Sequence, residues 1–395
     1  MKMYPVQTKN QLHIPSSLRD GQMVYGKVLR FDSRGRAVVE LGSSRFLADI
    51  KAPLDTLKTY WFQVNKKNDR IALQVLAPED QGIFRSFGIE QNTIAHELLQ
   101  LVKSGQLPLD RATFLKLLTW FKETEDHKTS LQVVRYMHEL RLPFTKEVFF
   151  SLHTIFKGTN LAEQLHALEK ELAQLGHADD LREILQHIFE KETVNWARGK
   201  DVYRAFSEIL TLLGLSDRRF RDKEETQLLQ VLRKNLINRK KFSPGVEARI
   251  TDILRILCAF RNLLQERDGL LQGWFVIPLP LPEGKVDLHL HWSGKRSEKE
   301  KLDSDFCRIL FMLQMPRLGK IEVVMHVQKR HISLTIRTDS PKVRELGKDL
   351  LPTLKEKLAR KNYTVGSVRF EKSADQKDSV VKNWLKQSSR LDVRI

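Results

Sequence analysis

Cysteine is scarce in this chain of 395 residues, which has only Cys258 and Cys307. The two are far apart, form no CxxC pair, and each lies among apolar neighbours, where a thiol usually packs as a small core residue. The sequence therefore argues against a disulfide framework and against a thiolate zinc site.

Long apolar runs are also absent. No segment approaches the ~18 uninterrupted apolar residues of a membrane span. The N-terminal sequence MKMYPVQTKNQLHIP lacks the apolar core of a secretory signal. We therefore expect a cytoplasmic protein without a membrane span.

Catalytic signatures are missing as well, because the chain has no P-loop, GxSxG, HExxH or glycine-rich phosphate fingerprint. Asp287, His289 and His291 alternate along one predicted strand and could offer three ligands to a metal. Solvent-facing histidines are the simpler interpretation of such a strand. We predict a protein that is not an enzyme, with no catalytic residue, no cofactor and no metal.

Positive charge dominates, since 67 Lys and Arg residues stand against 49 Asp and Glu, giving a formal net charge of +18 at pH 7. Such an excess is typical of proteins that bind nucleic acid, an anionic membrane surface or an acidic partner. A solvated basic exterior is the alternative, so charge alone leaves the partner open.

Residues 15–80 alternate with a period of two between Gly and Asp turn signals. Five short strands in such a segment predict a small β-barrel of OB or SH3 type. Some OB barrels bind single-stranded nucleic acid through exposed aromatic residues. The candidate aromatic residues here are Phe31, Tyr60, Trp61 and Phe62. They either bind nucleic acid in this way or form the hydrophobic core, and the core is the simpler interpretation.

Residues 90–268 change to helical periodicity. The segments 98–121 and 133–156 align at an offset of 35 residues, with Asp110 and Thr145 at the same place as predicted helix N-caps. The period resembles that of pentatricopeptide repeats, which read RNA, but a stacked array needs about three copies or more. We therefore predict two structural helix–turn–helix units.

Residues 217–242 form the densest basic cluster and flank an apolar helical seam. A solvated helix face is one interpretation, and phosphate binding is the other. The candidate phosphate contacts are Arg233, Lys234, Arg239, Lys240 and Lys241.

Residues 272–395 return to strand periodicity. In the sequence MLQMPRLGKIEVV, Pro316 ends one strand because it has no backbone N–H to donate, and Gly319 supplies the turn into the next. Two alternating strands follow, with Lys329 and Arg330 near the hairpin turn between them.

One helix follows these strands. Ser340 and Pro341 predict its start, with a hydroxyl N-cap and proline at the first helical position. We expect Pro352 to kink or restart the helix and Asn362 to end it in the left-handed conformation. Its apolar stripe is expected to be buried on an antiparallel-rich sheet, giving an α+β domain: Val343, Leu346, Leu350, Leu354 and Leu358.

Residues 274–371 resemble the C-terminal domain of flagellar hook-length control proteins. The resemblance lies in the order of the elements: a Pro-x-Leu-Gly corner, two strands, a helix with a Leu-Pro-x-Leu break and a short valine-rich strand. Asn362 stands where a glycine is usual in that family. The residues that fall on the pattern are Leu313, Pro316, Leu318, Gly319, Ile321, Val323, Leu346, Leu350, Pro352, Leu354, Leu358 and Val365.

The resemblance implies a docking role, because in that family this domain contacts the cytoplasmic domain of the type III export switch protein. The folded regions expected before residue 268 differ from the disordered secreted ruler of that family, so the sequence favours a cytoplasmic relative over an exported ruler and leaves export itself open. We predict a multi-domain α+β, non-catalytic adaptor with domains at 15–80, 90–268 and 272–395. The alternative is a nucleic-acid-binding protein that uses the barrel and the basic helices.

Two features of the last domain are candidates for partner binding. Lys329 and Arg330 would meet an acidic partner, and we expect reversal of their charges to leave the fold intact. The alternating tail predicts either an edge strand of this sheet or a strand added to a partner's sheet. Its apolar residues are Leu391, Val393 and Ile395. We expect the edge strand, since a free apolar tail favours aggregation.

Overall fold

The computed structural model describes residues 18–41, 44–50, 52–67, 70–105, 107–175, 179–189, 199–213, 227–237, 242–267, 270–281, 284–296 and 302–372. They form the predicted multi-domain α+β architecture. The chain divides into two compact units, Met1–Phe144 and Thr145–Ile395.

The first unit begins with a five-stranded antiparallel sheet in the order β3-β2-β1-β4-β5. Its strands are β1 (Met23–Phe31), β2 (Ala37–Leu41), β3 (Ser44–Ala48), β4 (Thr59–Lys67) and β5 (Arg70–Ala77). The two outer strands approach each other through one bridge between Asp49 and Ala72. Within the described residues no full ladder closes the barrel, so the predicted OB-like barrel is confirmed in its open form.

Aromatic side chains fill the interior of this sheet. Tyr60, Trp61 and Phe62 are at most 6% exposed, so the interpretation as buried aromatic residues is correct for these three. Tyr60 and Phe62 belong to the core of the sheet, whereas Trp61 is buried on its other face, where Nε1 donates a hydrogen bond to Asp80. Phe31 differs, because it lies at the end of β1 and is 37% exposed.

Four helices complete the first unit: α1 (Asp80–Phe87), α2 (Thr93–Lys103), α3 (Arg111–Lys122) and α4 (His127–Glu139). Six more begin the second unit: α5 (Lys146–Phe156), α6 (Leu161–Leu175), α7 (Asp179–Phe189), α8 (Gly199–Leu212), α9 (Gln227–Ile237) and α10 (Pro244–Asn262). The side chains of Asp110 and Thr145 accept hydrogen bonds from the backbone N–H groups of Thr113 and Val148, so both predicted N-caps are present.

The second unit contains a seven-stranded sheet in the order β12-β11-β10-β9-β8-β7-β6. Its strands are β6 (Gln265–Arg267), β7 (Leu270–Leu281), β8 (Gly284–Arg296), β9 (Leu302–Met315), β10 (Gly319–Gln328), β11 (His331–Thr338) and β12 (Thr364–Glu371). All neighbours are antiparallel except β11 and β12, which are parallel and joined by α11 (Pro341–Ala359).

Helix α11 begins as predicted, because Ser340 accepts a hydrogen bond from the N–H of Val343 and Pro341 follows the cap. It continues through Pro352, so the predicted restart does not occur. Asn362 follows the helix with φ of 62°, the left-handed conformation that asparagine tolerates.

Helices α6 and α10 pack against β7 and β8 of the same sheet. The ring of Phe260 in α10 lies 5.9 Å from that of Trp274 and 6.0 Å from that of Phe275. The predicted domain boundary at 268–272 therefore falls between elements that are packed together. The division into two compact units falls after Phe144, and the boundary at 268–272 stays a prediction.

Candidate functional site

The Pro-x-Leu-Gly corner joins β9 to β10. Gly319 pairs with Met315 across the turn and has φ of 73°, a conformation that side chains with a Cβ adopt at a cost. Pro316 is exposed, and Leu318 is half-buried. The corner fixes the register in which Ile321 faces Leu313.

That register assembles an apolar surface from three central strands. Val323 pairs with Phe311, which pairs with Leu290, so the three side chains share one face of the sheet. We call the half-buried part of this surface the open face. It consists of Leu290, Ile309, Phe311, Leu313, Ile321 and Val323.

Helix α11 lies on the same side of the sheet and covers the neighbouring strands. Its Leu358 packs against a buried cluster of Val327, Ile332 and Leu334, to which Val323 also contributes. The open face is therefore the continuation of the surface on which α11 rests.

The predicted burial of the α11 stripe is wrong for three of its members. Leu346, Leu350 and Leu354 are 44%, 63% and 38% exposed. The helix meets the sheet through another side, where a Cβ on Gly347 would lie 2.8 Å from the ring of Phe370. Apolar residues follow two adjacent lines along this helix, and one line is left in solvent.

Lys329 and Arg330 form the tight turn between β10 and β11. Both have positive φ, 48° and 64°, although neither is a glycine. Arg330 makes an ion pair with Asp305, 3.1 Å from Nε to Oδ1, and lies over the ring of Tyr363. Reversal of its charge would break these contacts. The expectation that charge reversal leaves the fold intact therefore does not hold for Arg330.

On the opposite face of the sheet, Asp287 of β8 caps helix α6. Its carboxylate accepts hydrogen bonds from the backbone N–H groups of Leu161 at 2.7 Å and Ala162 at 2.9 Å. Burial raises the pKa of Asp287 to about 7, against the lowering effect of these two hydrogen bonds. The contact joins residues more than 120 positions apart, and no local sequence signal marks it.

The expectation that the histidines of this strand face solvent is wrong. His291 is 3% exposed, and His289 is half-buried against Trp274. Burial lowers the pKa of His289 to about 4; burial, followed by the nearby Arg308, lowers the pKa of His291 to about 3. Both imidazoles are therefore neutral at pH 7.

Asp287 and His289 line a cavity of about 550 Å³, and Pro316 and Gly319 of the corner line it as well. Among the described residues no group of three or more His, Cys, Asp or Glu side chains is arranged to hold a metal ion. The carboxylate of Asp287 is engaged with the helix, so its evident role here is structural.

Of the basic residues predicted as phosphate contacts, two lie within the described residues and three lie outside them. Lys234 makes an ion pair with Asp180, 3.0 Å from Nζ to Oδ2, and Arg233 is exposed on the same helix, α9. The remaining basic candidates lie outside the described residues: Arg239, Lys240 and Lys241. The apolar tail residues Leu391, Val393 and Ile395 lie outside them too.

A basic hairpin in the first unit was not singled out by sequence reasoning. Arg30, Phe31 and Arg34 are exposed around the β1–β2 turn, whereas Arg36 makes an ion pair with Asp32 at 2.8 Å. The turn signal at Asp32 to Gly35 could have located it.

Comparison with known proteins identifies two segments. The family model of the flagellar hook-length control protein FliK matches residues 295–379, which confirms the resemblance of the C-terminal region. A model described as the TP0910 S1-like domain matches residues 2–74.

One curated relative is the uncharacterized protein YlqG of Bacillus subtilis (strain 168), 29% identical over 113 residues. The match covers 28% of this chain and 19% of that protein. No solved structure matches the chain. Within the described ranges, every helix is too short or too polar to span a lipid bilayer.

Proposed function

We propose that this chain is a non-catalytic, cytoplasmic adaptor that docks on the cytoplasmic domain of a type III export switch protein through the open face beside α11. The observation that carries the proposal is that the residues matched by the hook-length control family are also the residues that form α11 and most of the open face. The hook-length control match covers residues 295–379, and the same range holds α11 and most of the open face.

The apolar chemistry of this surface supports a protein partner. Leu346, Leu350 and Leu354 stand in solvent within nine residues of one helix. The sheet face on which this helix rests also carries half-buried apolar side chains on β9 and β10. Exposed apolar surface of this kind marks interaction sites, because its burial in a complex is favourable. Leu350, the most exposed of the three, is the natural anchor for a partner.

The charges around this surface favour an acidic partner. Lys348, Lys355 and Lys357 are exposed on α11, and Lys329 is exposed at the hairpin. Complementary charge at the rim of an interface accelerates association more than it strengthens the complex. We therefore expect the association rate to fall with added salt while the apolar contacts hold the complex.

The test is titration of the full chain with the purified cytoplasmic domain of the export switch protein of the same organism. Leu350→Glu should weaken binding at least roughly tenfold, as loss of a central anchor does. Ser333→Glu is the matched control, because it places the same charge on exposed Ser333, on the opposite side of β11 from buried Ile332 and Leu334. Equal binding by the two variants would show that the partner does not use the exposed leucines of α11 beside the open face.

A second candidate function, nucleic-acid binding, is favoured by the S1-like match over residues 2–74 and by the basic hairpin around Phe31. Phosphate contacts release condensed counterions, so affinity for a single-stranded RNA should fall steeply between ~50 and ~200 mM salt. Reversal of Arg30 and Arg34 to Glu tests the hairpin, and reversal of Arg233 and Lys234 tests α9. Absence of a complex at ~50 mM salt would reject this function.

A further inference from the structure

We propose that the cavity beside Asp287 binds a small, uncharged aromatic molecule that donates a hydrogen bond to His289. This site is separate from the surface of the proposed function, because Asp287 and His289 lie on the face of the sheet opposite the open face. The residues that line the cavity all belong to the second unit. Its volume of about 550 Å³ lies within the ~300–1,000 Å³ that is usual for ligand pockets.

The walls of the cavity are apolar and come from two helices and one strand. Ile155 of α5, Ile256 of α10 and Val276 of β7 contribute aliphatic side chains, each at most 5% exposed. Trp274 of β7 adds an indole ring, whose centroid lies 5.9 Å from that of His289 with 32° between the ring planes. Aromatic rings pack well against one another in offset or tilted arrangements. These walls therefore suit a ligand with a flat, apolar body.

His289 is the polar side chain that this cavity leaves unsatisfied. Its Nδ1 atom is buried and has no hydrogen-bond partner among the described residues. Burial lowers the pKa of His289 to about 4, so the ring is neutral at pH 7 and carries one acceptor nitrogen. A buried polar atom without a partner destabilises the fold. Because the ring is only half-buried, rotation about its Cβ–Cγ bond can present this nitrogen to an N–H or O–H group in the cavity.

The charges around the cavity disfavour a charged ligand. The Asp287 carboxylate already accepts hydrogen bonds from Leu161 and Ala162 at the N-terminus of α6, and the positive end of that helix offsets its charge. Lys285 and Glu163 also line the cavity, and their opposite charges cancel. Burying an ion without a compensating charge is costly. The buried part of the ligand is therefore uncharged.

The cavity opens to solvent, so a ligand can enter it. Gly158 and Glu163 are exposed on the helical side of its rim, and Gln314 and Pro316 are exposed on the side of the corner. A bound ligand would thus lie between the connection from α5 to α6 and the Pro-x-Leu-Gly corner.

Titration of the full chain with benzamide tests the site, with the isoleucine methyl groups observed by NMR. Benzamide has the flat ring and the N–H donor and carries no charge. We expect the resonances of Ile155 and Ile256 to shift, with a dissociation constant of roughly 1 mM for so small a ligand. Ile321, on the opposite face of the sheet, is the internal control and should not shift.

Analogues of benzamide separate the parts of the proposal. Methyl benzoate keeps the ring and the carbonyl group but has no donor, so it should bind at least roughly tenfold more weakly, the effect of one lost hydrogen bond. Benzoate is negatively charged and benzamidine is positively charged. Both should also bind at least roughly tenfold more weakly than benzamide, because the cavity would have to bury their charge.

Variants of His289 identify the acceptor. His289→Phe keeps a flat ring and removes the nitrogen atoms, so it should abolish the preference for benzamide over methyl benzoate. It should not lower the urea midpoint of unfolding, because the lost nitrogen has no partner to lose. His289→Gln keeps an acceptor and should retain part of the preference. His326→Phe is the matched control, since His326 is exposed on β10 outside the cavity, and it should bind benzamide as the wild type does.

Three results would overturn the proposal, and all come from the wild type, so they hold even if a variant fails to fold. The first is that Ile155 and Ile256 do not shift at ~10 mM benzamide, well above the expected dissociation constant. The second is equal binding of benzamide and methyl benzoate, which would remove the hydrogen bond to His289. The third is tighter binding of benzamidine than of benzamide, which would show that the site selects a cation.

Discussion

Asp287 is a buried acidic residue of the second unit whose negative charge is penalised by burial. Its buried carboxyl lies at the N-terminus of α6 and accepts two backbone N–H groups. A helix N-terminus attracts negative charge, but burial penalises that charge more, so its pKa rises to about 7.

The first prediction concerns the pH dependence that follows. An unfolded aspartate titrates near 3.9, so the folded state holds the proton more tightly. Its stabilising contribution is full below that value and is lost as pH rises through about 7. Asp287→Asn does not titrate. The free energy of unfolding of the variant minus that of the wild type should therefore rise by about 1.4 kcal/mol for each unit of increasing pH between roughly pH 4 and 7.

Urea unfolding of both proteins at pH 5, 6, 7 and 8 measures this gain. Asp349→Asn, at an exposed position of α11, is the control for the same substitution outside the buried site. The comparison must be a difference, because His289 and His291 have the opposite sign: their lowered pKa values destabilise the fold as pH falls below about 6.5. A flat difference between Asp287→Asn and the wild type would contradict the raised pKa.

The second prediction concerns the corner. Gly319 has φ of 73°, and no atom lies within 4 Å of the position that a Cβ would take. The cost of Gly319→Val is therefore backbone strain alone, about 1–2 kcal/mol of unfolding free energy. Gly319→Asn is the matched variant, because asparagine tolerates positive φ, and it should cost clearly less. Equal losses of unfolding free energy in the two variants would mean that position 319 requires a small side chain and not a residue that tolerates positive φ.

At the scale of elements, α11 carries two adjacent apolar lines, of which the sheet covers one. The third prediction separates them by stability. Leu350→Ala should change the free energy of unfolding by less than ~0.5 kcal/mol, as is usual for surface positions. Leu358→Ala removes contacts to the buried cluster around Val327 and should cost roughly 1–2 kcal/mol, less than a fully buried leucine.

Chemical denaturation of the two variants checks this prediction. A large loss for Leu350→Ala would indicate that the residue is covered in solution.

At the scale of the whole molecule, the fourth prediction concerns where the chain can be cut. Asp287 bonds to α6, and Phe260 packs on Trp274, so the C-terminal sheet depends on helices that precede residue 268. Limited proteolysis should therefore leave a stable fragment that begins near residue 145. A fragment of residues 272–395 expressed alone should unfold at lower urea concentration than one of residues 145–395, because it lacks α6, the helix that Asp287 caps, and the apolar cover of β7. Equal midpoints would restore the boundary at 272.

Local signals in the sequence determined much of the secondary structure. Asp110, Thr145 and Ser340 cap helices because a side-chain oxygen meets an N–H three residues ahead, which is a short-range event. The corner at Gly319 and the helix end at Asn362 follow from backbone sterics at single residues. The strand periods likewise predicted a small OB-like barrel, though not that it is open, and the antiparallel-rich sheet.

Tertiary structure alone decided which apolar and polar residues meet. Period-two alternation cannot tell a solvent face from one covered by a helix, so His291 was expected outside and lies inside, as does Asp287 on the same face. Helical spacing likewise accommodates both apolar lines of α11, and only the close approach of Gly347 to Phe370 selects one. Burial depends on elements far away in the chain, whereas turns and caps depend on their neighbours, and this is why the sequence determined the elements while the fold determined the open face.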